Sequence, residues 1–407
     1  MTIGVGGSTA EAELAAMDVM SAEARPIDDA EYARRVEKAQ SLMAEQGIDA
    51  LYLDASPNLF YFTGLSVKPS ERLHGAILPR EGPIVYLSPS FEEPKTRSML
   101  RDKEAPIRVW EEDADPTSLV IATVADLTSQ QGVLAIDPAT PFFQVDGMRR
   151  AGNRFELTNG ASVTAACRSV KSPAEIELLR HANAVTLEVH KAAARIMREG
   201  ITSTEVEDFV LAAHARLGAT PPGSRPLVLF GEASAYPHGV DYPQTLEDGD
   251  MVLIDAGGFV NGYRSDITRS YVFGSPSPRQ RNVWELERTA QRAGFEAAVP
   301  GAPCGDVDRA ARDAISGAGF GPAYALPGLP HRTGHGIGLE VHEERYMVAG
   351  NPTPLETGFC FSIEPTICIY GEFGIRLEDC AYMTDNGAAW FTEPCGSVED
   401  PFNLGSA

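Results

Sequence analysis

Two aspartates on neighbouring apolar runs are the residues best placed to do chemistry. Asp255 closes the run Met251–Ala256, and Asp266 lies in the strand-like run Tyr263–Phe273. Between the runs stands Asn261-Gly262, the dipeptide that most favours a two-residue hairpin turn. With Asn261 and Gly262 at the centre of the turn, Val260 faces Tyr263, and counting back puts Asp255 opposite Thr268. Asp266 then shares a face with Asp255 as a diagonal neighbour, about 7–8 Å away. Carboxylates so placed repel unless something positive lies between them. Leu253, Ile254 and Ile267 surround them with apolar surface, and acids in such surroundings need a partner. A metal cation outweighs the alternative of two solvated surface acids.

Further residues with ligand chemistry follow. His335 sits in Arg332-Thr-Gly-His-Gly-Ile-Gly338, where flanking glycines let backbone approach closely. Taken alone, a loop histidine is more often a hydrogen-bonded or surface residue than a ligand. Glu364 ends the apolar run Phe359–Ile363 ahead of Pro365. Glu378 lies in the strand-like Ile375–Ala381, where it shares a face with Arg376, and a plain Arg–Glu pair is its alternative reading. Taken together, these four acids and one histidine all sit on or beside apolar strands of one domain. Carboxylate-rich sites with one imidazole suit divalent Mn, Co, Zn or Fe(II), and bridging carboxylates hold two such ions about 3.5–4 Å apart.

The rest of the chain must position these groups. Its 407 residues suffice for two domains, and 43% hydrophobic with 22% charged residues is a globular composition. A net charge of -23 argues against nucleic acid or an anionic membrane as partner. No apolar run reaches the length of a membrane span, and the N-terminal stretch has neither the basic region nor the apolar core of a signal peptide. Six cysteines (Cys167, Cys304, Cys360, Cys368, Cys380 and Cys395) form no CxxC pair, which fits reduced buried thiols in a cytoplasmic protein.

Residues 1–27, rich in Ala, Gly, Ser and Glu, read as a flexible or loosely docked arm. Asp29–Glu45 is an amphipathic helix ended by Gly47. Strand-like runs at Ala50–Leu53, Gly75–Leu78, Ile84–Leu87, Ile107–Trp110, Gly132–Ile136 and Arg154–Leu157 enclose helical candidates at Ser118–Ser129 and Phe142–Ala151. Asn58–Gly64 reads as an aromatic patch before a loop. The alternation predicts an α/β domain over 28–165. Ser172-Pro-Ala-Glu175 and Thr202-Ser-Thr-Glu205 are capping boxes opening two helices, the first running to about Glu199. A strand at Pro226–Phe230, the hairpin, helices at about Ser277–Ala297 and Gly305–Ser316, then a Gly-rich loop and two final strands predict an α+β second domain over 166–407.

The motifs Ile254-Asp-Ala-Gly-Gly258, Ser265-Asp-Ile-Thr-Arg269, His331-Arg-Thr-Gly-His-Gly-Ile-Gly-Leu-Glu-Val-His-Glu343, Ser362-Ile-Glu-Pro365 and Gly374-Ile-Arg-Leu-Glu-Asp379 resemble those of the metal-dependent pita-bread exopeptidases. That family includes prolidase, aminopeptidase P and methionine aminopeptidase. Their order and spacing match the family's Asp, Asp, His, Glu, Glu ligand set. The first half is similar in pattern to the creatinase-like domain that precedes the catalytic domain in prolidases. The resemblance thus implies an α/β N-terminal creatinase-like domain plus an α+β pita-bread catalytic domain.

It also implies roles. Asp255 would chelate one metal, Asp266 and Glu378 would bridge both, and His335 and Glu364 would bind the second. A bridging hydroxide would attack the peptide carbonyl, with Glu364 moving its proton. His238 and His342 match histidines that stabilise the tetrahedral oxyanion or shuttle protons, and His331 stands beside the ligand set. Arg376 matches an arginine associated with the substrate carboxylate, with support of Glu378 as the alternative. Two positions depart from the pattern: many prolidases have tyrosine where this chain has Val260, and Arg345 follows Glu343-Glu344 where Pro is common. Arg345 would add a cation on the substrate side. The expected activity is hydrolysis of Xaa-Pro dipeptides by a cytoplasmic homodimer with two divalent ions, Mn2+ first, and Co2+, Zn2+ or Fe2+ as alternatives. Aminopeptidase P activity on longer peptides and a non-peptide, ectoine-hydrolase-like amidase are the other readings. A non-catalytic binding protein is disfavoured because all five ligands are kept.

Overall fold

The computed structural model describes residues 2–152 and 154–405, which divide into two compact units, one within 27–168 and the other comprising 2–26 with 169–405. The first 26 residues, read from composition as a loose arm, hold helix α1 (Ala10–Ala16), N-capped by Thr9. Thr2 N–H donates to Gly274 O at 3.0 Å and Gly6 N–H to Ala194 O at 2.9 Å, within the larger unit.

The smaller unit begins with α2 (Asp29–Gln46), capped by Asp28 and stopped by Gly47 at φ 70°. Then follow β1 (Ala50–Leu53), α3 (Pro57–Thr63), β2 (Gly75–Pro79), β3 (Val85–Pro89), α4 (Glu93–Met99), β4 (Ile107–Trp110), α5 (Pro116–Leu127), β5 (Gly132–Ile136), α6 (Phe142–Ala151), β6 (Phe155–Asn159) and α7 (Ala161–Ser169). The strands form one mixed sheet ordered β4-β3-β2-β1-β5-β6. Val120 and Val124 of α5 and Met148 of α6 pack on Tyr52, Ile77 and Leu87. One element differs from expectation: the aromatic patch is helix α3, because Ser56 Oγ accepts the N–H groups of Asn58 and Leu59 and Pro57 starts the first turn. Its Ser-Pro opening is the same signal that marks Ser172-Pro173.

The larger unit continues with α8 (Pro173–Arg195) and α9 (Ser203–Arg216), each opened by the expected capping box. Strands β7 (Leu227–Phe230), β8 (Met251–Ala256), β9 (Phe259–Val260), β10 (Tyr263–Arg264) and β11 (Ile267–Val272) come next. The hairpin register is the one counted from the turn: Val260 pairs with Tyr263 and Asp255 with Thr268. Asn261 at φ 48° and Gly262 at φ 88° supply the two positive φ values such a turn requires. Helices α10 (Pro278–Ala297) and α11 (Cys304–Gly317) follow. In place of two final strands there are seven: β12 (Gly334–Gly336), β13 (Glu343–Met347), β14 (Cys360–Ile363), β15 (Thr366–Ile369), β16 (Phe373–Arg376), β17 (Asp379–Thr384) and β18 (Gly387–Trp390). They run for only three to six residues each, too few for a period of two to be legible.

Sheets β11-β8-β7 and β13-β12-β14-β17-β18 carry the larger unit, with β15 and β16 as a separate hairpin. Val283 and Trp284 of α10 and Ile315 of α11 pack on Met251, Val272, Ile367 and Ile375. Phe359, Phe361 and Met383 form a second core. An isolated bridge pairs Thr268 with Glu378 and so joins β11 to the segment between β16 and β17.

The start of α8 is tied to the hairpin through Glu175, which is 2% exposed. Its Oε2 accepts Ser172 N–H at 2.9 Å, and its Oε1 accepts the Tyr263 hydroxyl at 2.8 Å. Glu175→Ala removes half of the capping box and a buried acceptor, so a loss of about 2–3 kcal/mol is expected in urea unfolding, with most of it restored in Glu175→Gln.

Candidate metal centre

Asp255, Asp266, His238, His335, His342, Glu364, Arg376 and Glu378 all line one cavity of about 650 Å³ in the larger unit. Hairpin strand β8 delivers Asp255, and the start of β11 delivers Asp266. His335 stands in the middle of β12, whose neighbouring glycines let the sheet close up: a Cβ on Gly334 would lie 2.0 Å from Ser362 O. Glu364 follows β14, where Pro365 ends the pairing.

Arg376 and Glu378 do not share one strand. Chain pairing changes between β16 and β17, so Arg376 turns to Asp255 while Glu378 pairs across to Thr268. Arg376 Nη2 donates to Asp255 Oδ2 at 2.6 Å, Nε to Thr268 Oγ1 at 3.1 Å and Nη1 to Pro237 O at 3.2 Å. The plain Arg376–Glu378 pair, the alternative reading of these two residues, is not formed.

Asp266, His335 and Glu378 each present a ligand atom, all within 4.8 Å of one another. His335 Nε2 is 3.1 Å from Glu364 Oε1 and 3.6 Å from Asp266 Oδ2. Glu378 Oε2 accepts the Thr268 hydroxyl at 2.6 Å, but its Oε1 is buried with no hydrogen-bond partner. A buried carboxylate oxygen without a donor is costly unless a cation meets it. The set therefore fits a divalent metal.

Comparison with known proteins gives a metallopeptidase family. Residues 177–385 match the profile of metallopeptidase family M24, and residues 35–170 match the creatinase/prolidase N-terminal domain. The chain belongs to metallopeptidase family M24. It is 32% identical over 366 residues to the Xaa-Pro dipeptidase of Lactobacillus helveticus, covering 88% of this chain and 96% of that one. Dipeptidase PepE from Mycobacterium ulcerans superposes with a TM-score of 0.81 at 32% identity, over 91% of this chain and 97% of that one. A prolidase from Thermococcus sibiricus gives a TM-score of 0.82 at 28% identity, over 91% and 98%. The fold is accordingly a creatinase-type α/β domain followed by a pita-bread catalytic domain, as the motifs implied.

The electrostatics of this M24 site are those of crowded acids. Burial, then Asp255, pushes Asp266 up to about 8. Burial, then Asp266 and Glu364, holds Glu378 well above the usual carboxylate range. Burial acts to raise Glu364 too, but the adjacent His335 outweighs it and brings the carboxyl down to about 2. For His335 burial opposes the charge, yet Glu364 and Asp266 raise its affinity for a proton. His342, facing His335 edge-on at 4.3 Å, is pushed down to about 4 by desolvation, then by His335 and Arg332.

Some groups at the centre carried no sequence signal of their own. Fully buried Arg269 donates to Asp379 Oδ1 at 2.7 Å and to Glu378 O at 2.9 Å. An arginine inside the apolar run Ile267–Val272 requires such a partner, which was the available clue. Arg345, expected on the substrate side, is absent from the cavity wall. Residues 344–346 bulge opposite the single residue His335, and Arg345, at φ 74°, pairs with Glu356 at 3.0 Å. Val260 is buried in the hairpin beside Tyr263, away from the cavity lining. His331 bonds Thr366 Oγ1 at 3.0 Å through Nε2. Among the described residues no helix is long and apolar enough to cross a membrane, and all six cysteines are free and buried.

The raised carboxyls fix a pH dependence. Without a cation, Asp266 costs the fold increasing stability as pH climbs from the ordinary carboxylate range towards 8, where the native group finally ionises. A divalent ion takes the proton's place, so it stabilises more at high pH. Calorimetry with Mn2+ against a chelator is expected to show a larger shift in Tm at pH 8 than at pH 6, with a stabilisation of about 4 kcal/mol once the ion is at a thousand times its Kd.

Proposed function

We propose that this M24 enzyme hydrolyses the peptide bond of Xaa-Pro dipeptides. The observation that carries this reading is the unpartnered Glu378 Oε1 among converging acids, in a cavity within the size range of small-molecule sites. The relatives named as prolidases and Xaa-Pro dipeptidases support the substrate class.

Asp255, Asp266, His335, Glu364 and Glu378 would hold two divalent ions, with Mn2+ the first choice and Co2+, Zn2+ or Fe2+ the alternatives. When bound, such ions supply Lewis acidity, which lowers the pKa of water and polarises a carbonyl. The chain's own groups do the rest. Arg376, 4% exposed, orients Asp255 and offsets its charge, which leaves the recognition of substrate ends to other residues. Glu364 accepts the proton of the attacking water at a carboxylate oxygen and delivers it to the leaving nitrogen. His342, held neutral near pH 7, has an N–H to donate to the developing oxyanion without adding repulsion to the cations. His238, on the opposite stretch after Pro237, is placed to share that task. The reading extends to a cytoplasmic homodimer, which light scattering of the purified protein would test.

Metal-stripped enzyme reloaded with Mn2+ is expected to cleave Ala-Pro and to leave Ala-Pro-Ala intact. Cleavage of the tripeptide would move the activity to that of an aminopeptidase P. Turnover of neither would end the peptidase reading and favour cyclic amides. Glu364→Gln is expected to lose at least about a hundredfold in kcat with the fold retained.

A further inference from the structure

The loop that joins His335 to His342 is tied to a buried ion pair. Lys171 and Glu343 are 4% and 8% exposed, and Lys171 Nζ lies 2.8 Å from Glu343 Oε2. Charges so far from water are costly to bring together, and removing one partner is more damaging than replacing both. Neither side chain lines the metal cavity, so any effect on the reaction passes through what the pair holds.

What Glu343 holds is the loop. Gly336 pairs with Glu343 across β12 and β13, which closes residues 337–342 between them. Glu343 Oε1 accepts the N–H groups of Leu339 at 2.9 Å and Glu340 at 3.4 Å. Gly338 lies directly against the carboxylate, where a Cβ would come within 2.6 Å of Oε1. Arg264 N–H donates to Gly338 O at 2.8 Å, so the loop is also tied to the hairpin. At its end stands His342, whose ring meets that of His335 edge-on at 4.3 Å. Lys171 is itself fixed by its backbone: its N–H donates to Gly358 O at 2.8 Å, and Ser172 beside it opens the capping box of α8. The pair thus connects the start of α8 to the loop that carries His342.

We infer that Lys171 is a positioning residue for His342, acting through the Glu343 carboxylate. This rests on the peptidase reading above, in which His342 donates to the developing oxyanion. The ammonium sets where the Glu343 carboxylate sits, and the carboxylate sets where Leu339 and Glu340 sit. The loop so fixed presents His342 beside His335. A donor to an oxyanion is effective only when it is already in place, and a displacement of about 1 Å can cost about a hundredfold in rate.

The test is a double-mutant cycle on Mn2+-loaded enzyme with Ala-Pro as substrate. Lys171→Met is expected to lower kcat by about tenfold or more, with KM and metal content close to those of wild type. In a His342→Ala background the same substitution is expected to cost almost nothing, because the group it positions is gone. An equal fold loss in both backgrounds, or a loss that follows metal content, marks a merely structural pair and overturns the inference. Glu343→Gln keeps an oxygen for the Leu339 and Glu340 N–H groups but removes the charge facing Lys171. It runs the same cycle should Lys171→Met fold poorly. Hydrogen exchange needs no substrate and so separates this from failure of the peptidase reading. The Leu339 and Glu340 amides are expected to exchange about tenfold faster in Lys171→Met, while those of the β8–β11 hairpin keep their protection. That selective loss supports the positioning even if no dipeptide is cleaved. Unchanged exchange at Leu339 and Glu340, or equal acceleration in the hairpin, overturns it.

Discussion

Packing four carboxylates around one imidazole is the constraint on which the larger unit depends. Among the described residues only His335 and Arg376 meet these acids with positive charge at bonding distance. Desolvation and repulsion therefore raise the carboxyls of Asp266 and Glu378, while contact with His335 lowers that of Glu364. A site with this imbalance is poorly satisfied by protein groups alone and well satisfied by divalent cations. The stability cost of the acids and their affinity for metal have the same physical origin.

The surrounding structure keeps the acids together despite that repulsion. The β8–β11 hairpin fixes Asp255 relative to Thr268, and the Thr268–Glu378 bridge brings Glu378 to the same site. Arg269 and Asp379, both fully buried, cross-tie β11 and β17 immediately beside Glu378, and Gln291 of α10 bonds the other Asp379 oxygen at 3.0 Å. Breaking such a pair by removing one partner is far more damaging than replacing both, because a buried charge is left behind. Thr268 couples the two sides again, donating to Glu378 and accepting from Arg376. Ligand geometry is thus set by polar ties between strands as much as by the apolar cores against α10 and α11.

Charge is distributed unevenly around the cavity. Arg264 and Arg332 line the same cavity as the acids, each beside an aromatic ring, Phe259 and Tyr346. The bulge at residues 344–346 turns Arg345 out of this arrangement and into its pair with Glu356.

Much of this was legible in the chain itself. The Asn261-Gly262 turn determines the register of the central hairpin, because only residues tolerant of positive φ fit its two central positions. The capping boxes at Ser172 and Thr202 determine where α8 and α9 begin, since each satisfies its own first-turn N–H groups locally. Motif order was enough to pick out eight of the residues that line the cavity. Tertiary structure decided what depends on contacts distant in sequence. The division of the final segment into seven short strands follows from pairing partners that no local period reveals. The turning apart of Arg376 and Glu378 follows from a change of sheet at Leu377, and the removal of Arg345 from the cavity follows from a bulge. Whether a given arginine near this site bonds Asp255 or ties two strands together is set by which carboxylate the fold brings within 3 Å of it.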